Sequence, residues 1–112
     1  MSTGKTNYLL SEDQLEEVAL RFRLLGEPMR LRILQAVCGK PRTVSEIVTA
    51  VGATQANVSK HLALLAGAGI LARQKDGQRV YYGMKDQLAM KLCALVHKHL
   101  APKTPGFRQF GQ

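Results

Sequence analysis

Hydrophobic residues in the middle of the chain recur at the spacing of a short helix. Val58, Leu62 and Leu65 lie at i, i+4 and i+7 and form one apolar stripe, while most positions between them are small or polar. Thr54 stands just before this segment and can cap its first turn with its hydroxyl. A shorter apolar segment precedes it, starting with a Thr-x-x-Glu capping pair at 43–46 and ending in a glycine. Two short helices joined by a glycine-containing turn are therefore predicted, which is a helix-turn-helix.

A strand pattern follows the second of these helices. Two β-prone runs, residues 70–75 and 78–82, flank Asp76-Gly77, and Asp-Gly between such runs is a strong hairpin signal. A hairpin in this position is the wing of a winged helix. The predicted fold class is mainly α with a small β-hairpin: a winged helix-turn-helix of about five helices and a two-stranded wing, binding duplex DNA.

Amphipathic segments flank this central unit on both sides. Ser11 and Gln14 form a second capping pair at the start of the first segment, and Pro28 suits the first turn of the next. Asp86 can cap a last helix whose apolar positions are spread widely around its surface. The first and last helices either complete the core alone or also form a two-fold interface. We favour the interface, because it presents two reading helices to one face of the DNA.

The predicted domain organisation has three parts. Residues 1–10 are expected to form a flexible arm and residues 102–112 a flexible tail. Residues 11–101 are expected to form a single winged helix-turn-helix domain for DNA binding and dimerisation.

Charge is distributed unevenly along the chain. The formal net charge is +8, from 16 Lys and Arg against 8 Asp and Glu. Five of the acids precede Pro28, whereas thirteen basic residues lie between Arg30 and Arg108. The part of the chain that holds the helix-turn-helix therefore carries a positive field, as a protein that binds a polyanion should.

Several other classes of protein are not indicated. Residues 1–8 are polar and lack the apolar core of a signal peptide, and no apolar run is long enough to span a bilayer. We therefore expect a cytoplasmic protein without membrane contact. No nucleophile–base pair or glycine-rich phosphate loop is evident, so the sequence predicts neither an enzyme nor a cofactor.

Three stretches, in this order and at this spacing, resemble the ArsR family of winged-helix repressors. They are Leu24 to Val37, Thr54 to Leu71 and Asp76 to Tyr82, and the resemblance covers about residues 20–100. It implies a homodimer with the first and last helices at the interface. It also implies a repressor that leaves its operator when an inducer binds, often a metal or a thiol-reactive species.

The resemblance also indicates which side chains contact DNA. Gln55, Ser59 and Lys60 match the family's major-groove contacts, and their chemistry suits base edges and phosphates. An ordinary solvated helix face is the alternative for these three. Arg79, near the hairpin tip, is the best candidate for a minor-groove or backbone contact, and its alternative is a solvated arginine. His61 can equally reach a phosphate or be a half-buried core residue. The complete DNA-binding set is Thr54, Gln55, Asn57, Ser59, Lys60, His61, Arg73, Lys75 and Arg79.

Two sites at which members of this family bind metals are not matched. The first helix of the helix-turn-helix, where those members carry Cys-x-Cys, has no cysteine at 43–48. At the start of the last helix, Asp86 matches the family's Asp-x-His pair, but Leu88 replaces the histidine. Zinc or nickel sensing at these sites is therefore not expected, and no metal site is predicted.

The two cysteines are the remaining candidates for sensing. Cys38 ends the second helix and Cys93 lies in the middle of the last. Both can be small buried hydrophobic residues. We favour a reactive pair bridged by oxidation or by a sulfur chain; a third interpretation adds His97 and makes an arsenite or soft-metal site. The main hypothesis is thus a homodimeric, sequence-specific repressor released by an oxidant or reactive sulfur species.

Other functions are compatible with the same pattern. The winged helix can be a scaffold for protein interaction, which predicts no salt-dependent affinity for DNA. It can also be a DNA-binding regulator or nucleoid-type protein without cysteine-based sensing, in which both cysteines are replaceable without effect on regulation.

Overall fold

A computed structural model describes residues 8–100 of the 112-residue chain. Within this range five helices and three strands follow one another. Their order is α1 (Glu12–Leu25), α2 (Pro28–Val37), β1 (Arg42–Thr43), α3 (Val44–Val51), α4 (Gln55–Gly67), β2 (Leu71–Asp76), β3 (Arg79–Met84) and α5 (Leu88–Lys98). This element order confirms the predicted winged helix-turn-helix. Residues 1–7 of the predicted arm, residue 101 and the whole predicted tail lie outside the described residues.

Local hydrogen bonds fix where the helices begin. Ser11 and Gln14 form the predicted capping box of α1, and Thr43 and Glu46 form that of α3. In each box the hydroxyl accepts a backbone N–H, and the side chain three residues later accepts the N–H of the cap residue at 2.9 Å. Thr54 caps α4 by accepting a backbone N–H from within its first turn, at 3.1 Å. These predicted helix starts are therefore confirmed.

The sheet contains one strand more than the sequence predicted. β2 and β3 form the expected antiparallel hairpin, and β1 pairs with the other edge of β3, with Arg42 opposite Tyr82. The prediction of a two-stranded wing was therefore incomplete. A strand of two residues is too short to show any alternation of apolar and polar positions, so its pairing is visible only in the fold.

The hairpin turn lies one position later than expected. Asp76 is still paired with Arg79, so the loop consists of Gly77 and Gln78. Gly77 has a φ of +64°, a left-handed conformation that glycine adopts without steric cost. Glycine at the first position of a two-residue loop is typical of a type II′ turn, whose twist matches that of the strands.

The core is built around α2 and α4. The predicted apolar stripe of α4 is confirmed, and α2 and α3 contribute the other side chains that are almost completely buried. Burying a large aliphatic side chain contributes about 1.5–3 kcal/mol, so these positions carry most of the apolar stabilisation. The side chains exposed by 1% or less are Ile33, Leu34, Val37, Ile47, Val58, Leu62 and Leu65.

The first and last helices contribute little to this core. α1 buries only Leu24 and Leu25, and α5 buries only Ala89. Many of their other apolar side chains are 40–59% exposed, which is unusual for a helix whose partner is already in place. They are Leu15, Val18, Leu20 and Phe22 on α1 and Leu88, Leu95 and Val96 on α5. The core of a single chain therefore leaves broad apolar faces on both helices.

Among residues 8–100, no helix combines the length and the hydrophobicity needed to cross a lipid bilayer.

Candidate nucleic-acid interface

The second helix of the helix-turn-helix, α4, has one buried and one exposed face. Val58, Leu62 and Leu65 are completely buried against the core. The opposite face is solvent-exposed and mostly small or polar, although Leu64 on it is 41% exposed. Its small and polar exposed residues are Gln55, Ala56, Asn57, Ser59, Lys60 and Ala63. Every polar residue predicted on this helix to contact DNA, except His61 and the cap residue Thr54, lies in that set.

The side chains on this exposed face suit the edges of bases. Gln55 and Ser59 are four residues apart, so they lie one above the other on the same side of α4. A glutamine can pair bidentately with adenine, and a serine hydroxyl can bond to a base edge or a phosphate. Thr54 is also exposed, but its hydroxyl oxygen already accepts the N–H of Asn57. The hydroxyl keeps its O–H donor and one acceptor lone pair for a contact to DNA.

The strand register separates the basic residues of the wing. Arg73 and Lys75 are two positions apart on β2, so they share one face of the hairpin. Arg79 is paired with Asp76, which points to the other face, and residues directly opposite each other in a sheet lie on the same side. All three cations are exposed, and the sheet presents them on two sides of the wing.

The root of the wing is fastened to the end of α2. The Nε–H of Arg42 donates to the carbonyl oxygen of Ala36 at 2.6 Å, while the backbone of Arg42 pairs with β3. Gly83 is buried beside Pro41, and a Cβ atom at position 83 would lie 3.1 Å from the Cγ of that proline. The connection between α2 and β1 therefore fixes where the wing leaves the core. Sequence reasoning assigned no role to Arg42 or Pro41 in this attachment.

His61 faces the core and not the exposed side of α4. Its side chain is 8% exposed, and its Nδ1 accepts a hydrogen bond from the Nε–H of Arg30 at 3.1 Å. Burial of the side chain supports the core interpretation over the phosphate contact. Arg30 is 31 positions away in the sequence, and no local pattern links the two residues. Arg30 was therefore missing from the predicted set.

Several proteins that are similar to this chain in sequence and fold are bacterial regulators. Residues 27–73 match the family described as "Bacterial regulatory protein, arsR family". The HTH-type transcriptional regulator Rv0081 of Mycobacterium tuberculosis is 33% identical over 81 residues, which cover 71% of this chain and 71% of that protein. The chain belongs to the ArsR family. It is a DNA-binding transcriptional regulator and not an enzyme.

Further comparisons place the whole winged helix within the ArsR family. The crystal structure of Rv0081 superimposes with a TM-score of 0.71 at 31% identity, covering 79% of this chain and 89% of that one. The homodimeric winged helix-turn-helix domain Mb0332 of Mycobacterium bovis gives 0.69 at 29% identity, covering 81% and 87%. The regulator CmtR of M. bovis is 36% identical over 73% of this chain and 70% of its own.

Both cysteines of this ArsR-family chain are free thiols, but their surroundings differ. Cys38 is exposed and caps the C-terminal end of α2, where its N–H donates to the carbonyl of Gln35 at 3.5 Å. Cys93 is half-buried in the middle of α5. Exposure makes Cys38 accessible to reagents in solution, so the interpretation of both cysteines as buried hydrophobic residues is wrong for Cys38.

Metal ligands are not clustered within the described part of one chain. Residues 8–100 contain no group of three or more His, Cys, Asp or Glu side chains placed to hold an ion. His97, proposed from the sequence as a partner of the two cysteines, is exposed near the end of α5. The carboxylate of Asp86 accepts the N–H of Leu88, the first residue of α5, at 2.9 Å, but the N-cap position is Gln87, so the prediction of Asp86 as the cap is wrong by one position.

Proposed function

We propose that the protein is a homodimeric repressor that binds an operator through α4 and the wing and leaves it when a thiol-reactive inducer modifies Cys38 and Cys93. The observation that carries the DNA-binding part is the exposed polar face of α4, opposite a completely buried stripe. A helix held in this way can enter the major groove without disturbing the core. The exposed cations of the wing supply contacts to the flanking backbone.

The proposed reading residues are divided by chemistry. Gln55 and Ser59 contact base edges, and Lys60 contacts a guanine or a phosphate. Asn57 and Thr54 lie at the start of α4 and approach the phosphate backbone there. Arg73, Lys75 and Arg79 contact the backbone or the minor groove from two sides of the wing.

The dimer is proposed to form through α1 and α5. Their exposed apolar side chains are too large and too numerous to be left in water by a stable monomer. A two-fold axis through these helices leaves both copies of α4 free. It also sets the distance between them, which must match about 34–36 Å along the duplex.

Selection of DNA from a random pool tests this assignment. The immobilised protein is expected to enrich an inverted repeat whose half-sites are about one helical turn apart. Binding without enrichment of any sequence would favour a nucleoid-type protein. Absence of all DNA binding would favour a protein-interaction module and overturn the proposal.

The sensing part rests on the positions of the two thiols. Cys38 ends the helix that packs against α3 and α4, whereas Cys93 lies on a helix of the proposed dimer interface. Joining the two thiols, within or between protomers, would link the helix-turn-helix covalently to the proposed dimer interface. The separation of the two α4 helices would then change, and contacts on one half-site would be lost.

The inducer accepts the electrons and protons that the two thiols lose when a bridge forms between them. Two thiols lose two protons and two electrons when they form a disulfide, and hydrogen peroxide accepts both to give two water molecules. A polysulfide accepts the same two electrons and two protons as its S–S bonds break and hydrogen sulfide leaves, and part of its sulfur chain can remain between the two cysteine sulfurs. A longer bridge requires less approach of the two backbones than a direct disulfide does.

Serine substitutions test this switch. Cys38→Ser and Cys93→Ser are expected to bind the operator as the wild type does and to stay bound after peroxide or polysulfide. Electrophoresis without reductant distinguishes a bridge between protomers, which doubles the apparent mass, from a bridge within one. If either variant dissociates like the wild type under each treatment, the cysteine switch is wrong.

A soft-metal or arsenite response through the same thiols is the second candidate. It is supported by a relative named as a probable mercury resistance operon repressor from Streptomyces lividans, 35% identical over 66% of this chain and 59% of that protein. Thiolates are the ligands that soft metals prefer. Release by arsenite or Hg²⁺ but not by peroxide or polysulfide, lost in both serine variants, would favour it over oxidation.

A further inference from the structure

Arg30 joins three parts of the fold through its backbone and side chain. Its Nε–H donates to Nδ1 of His61 on α4 at 3.1 Å. One terminal N–H of the guanidinium donates to the carbonyl of Leu24 near the end of α1 at 3.4 Å. The backbone N–H of Arg30 donates to the carboxylate of Glu27, the cap of α2, at 2.9 Å. A contact from α1 to α4 therefore passes through one side chain.

The hydrogen bond from Arg30 fits only an imidazole ring whose Nδ1 carries no proton. A guanidinium has only donors, so Nδ1 must present its lone pair and Nε2 must carry the proton. An imidazolium has a proton on both nitrogens and cannot accept from Arg30. Histidine is the side chain that changes charge between about pH 5 and 8. Acid therefore removes the acceptor that connects α4 to Arg30.

We propose that Arg30 and His61 are positioning residues that hold α4 against the junction of α1 and α2, and that protonation of His61 releases this contact and weakens operator binding. Neither residue touches DNA in this arrangement. His61 acts through the angle at which Gln55 and Ser59 are presented. The inference rests on the proposed role of α4 as the reading helix.

The charges around His61 do not restore the contact. α4 packs against α2, α3 and β2. Glu46 on α3 and the charged side chains of β2 are exposed, whereas Arg30 and Glu27 act on His61 itself. Glu27 attracts an imidazolium and Arg30 repels it. Whichever charge prevails, the imidazolium offers Arg30 no lone pair.

The sign of the pH effect separates positioning from direct contact. If His61 touched a phosphate, its protonation would add a cation to the interface and tighten binding in acid. If it positions α4, protonation loosens the helix and weakens binding. His97 and His99 are exposed on or beside α5 and are the same in every variant below, so their contribution cancels in a comparison.

The experiment measures operator affinity by fluorescence anisotropy at about pH 8 and about pH 5.5, at constant salt. For the wild type the dissociation constant is expected to rise about tenfold, a usual size for coupling between two sites. His61→Asn places an amide Oδ1 where Nδ1 stood, so it keeps an acceptor that does not titrate. Its ratio of the two dissociation constants is expected to stay below about twofold.

A second variant covers the case in which His61→Asn does not fold. Arg30→Met removes the donor and is expected to weaken binding already at the higher pH and to flatten the pH profile. Arg32→Met, which removes an exposed cation from the same helix, is the matched control and is expected to keep the wild-type profile. Circular dichroism establishes that each protein is folded.

The outcomes are distinguishable. Tighter wild-type binding in acid that His61→Asn abolishes would establish a direct phosphate contact and overturn the inference. A profile that is flat in the wild type, or unchanged in both Arg30→Met and a folded His61→Asn, would overturn it as well. A wild type that binds no DNA at either pH would overturn the proposed function, and the inference with it.

Discussion

Lys60 and His61 are adjacent on α4, yet one is exposed and the other is buried. A step of one residue turns a helix by about 100°, enough to carry a side chain from the solvent to the core. The apolar stripe predicted where the core lies, but His61 stands at its edge and both environments suit histidine. The deciding contact comes from Arg30, which is distant in sequence. At such an edge the sequence leaves two interpretations of a residue open.

Removing an exposed side chain of α4 and removing one of the wing are expected to have different effects on DNA binding. Gln55→Ala should cost about 1–3 kcal/mol on the operator and relax preference at one base pair, because a base contact is lost. Arg79→Ala should weaken binding to operator and random DNA by similar factors, because a backbone contact carries no sequence information. Titrations of both DNAs in a gel-shift assay measure these effects.

Exposed glutamines outside the reading face are the matched controls. Gln35→Ala on α2 and Gln78→Ala in the wing loop remove similar side chains and are expected to have little effect on the base preference. Equal weakening of operator and random DNA by Gln55→Ala would show that this residue does not read a base.

At the scale of single elements, the two capping boxes differ in the charge of the side chain that accepts the N–H of the cap residue. The carboxylate of Glu46 accepts the N–H of Thr43 in α3, whereas the neutral amide of Gln14 does the same in α1. The N–H of Thr43 is the main reason that the pKa of Glu46 is lower than its ordinary value. The ionised cap therefore stabilises the folded state above the ordinary pKa of glutamate, and this contribution is lost as the pH falls through the lowered one.

Exchanging the side chains that accept the N–H of the cap residues is expected to exchange the acid sensitivity of the two helix starts. Glu46→Gln keeps an acceptor for Thr43 but does not titrate, so its free energy of unfolding should fall less between about pH 7 and pH 3 than that of the wild type. Gln14→Glu is the reverse exchange and should add acid sensitivity. Chemical denaturation at several pH values measures both. Parallel profiles for all three proteins would contradict this account of the caps.

The elements predicted correctly are those fixed by residues close in sequence. Ser11 with Gln14 and Thr43 with Glu46 act over three positions, so the sequence alone indicates where α1 and α3 begin. The hairpin signal is equally local, although the loop is displaced by one residue. The displacement changes the partner of Arg79 from Gln74 to Asp76 and leaves Arg73 and Lys75 on the other face. Neither the register nor the pairing of β1 with β3 is a local property, so both were missed.

At the scale of the whole molecule, the net charge of +8 predicts a steep dependence of DNA binding on salt. A protein that makes about 6–10 phosphate contacts loses about 10³–10⁵ in affinity between about 50 and 200 mM salt. Gel shifts at a series of salt concentrations give the slope. Affinity that does not change with salt would contradict binding through the basic surface.

The apolar faces of α1 and α5 predict an oligomeric state. Phe22→Glu should convert the dimer to a monomer, because a carboxylate at 59% exposure in one chain would be buried in the proposed interface. Operator affinity should fall by about 10²-fold or more, since linked half-sites are then bound separately. Analytical ultracentrifugation gives the mass. Gln35→Glu adds the same charge on α2 and is expected to remain dimeric.

The oligomeric state also marks how far sequence reasoning extends. The stripes on α1 and α5 show that these helices are amphipathic, but the same pattern describes a helix covered by its own chain and one covered by a partner. In the described residues Leu15, Val18 and Phe22 stay exposed after the core is complete, so their own chain does not bury them. Burial depends on how the whole chain packs, so a short segment of the sequence cannot indicate it.

The contact between Gly83 of the wing and Pro41 has a consequence for how related chains can differ. Gly83 and Pro41 are in such close contact that a larger residue at position 83 requires the ring of Pro41 to shift. A wing transplanted from a relative as a cassette would carry its own residue at 83 against a foreign residue at 41. Such hybrids should recover stability only when both positions come from the same parent. The wing and the segment after α2 are thus expected to be exchanged together, although positions 41 and 83 are 42 positions apart in the sequence.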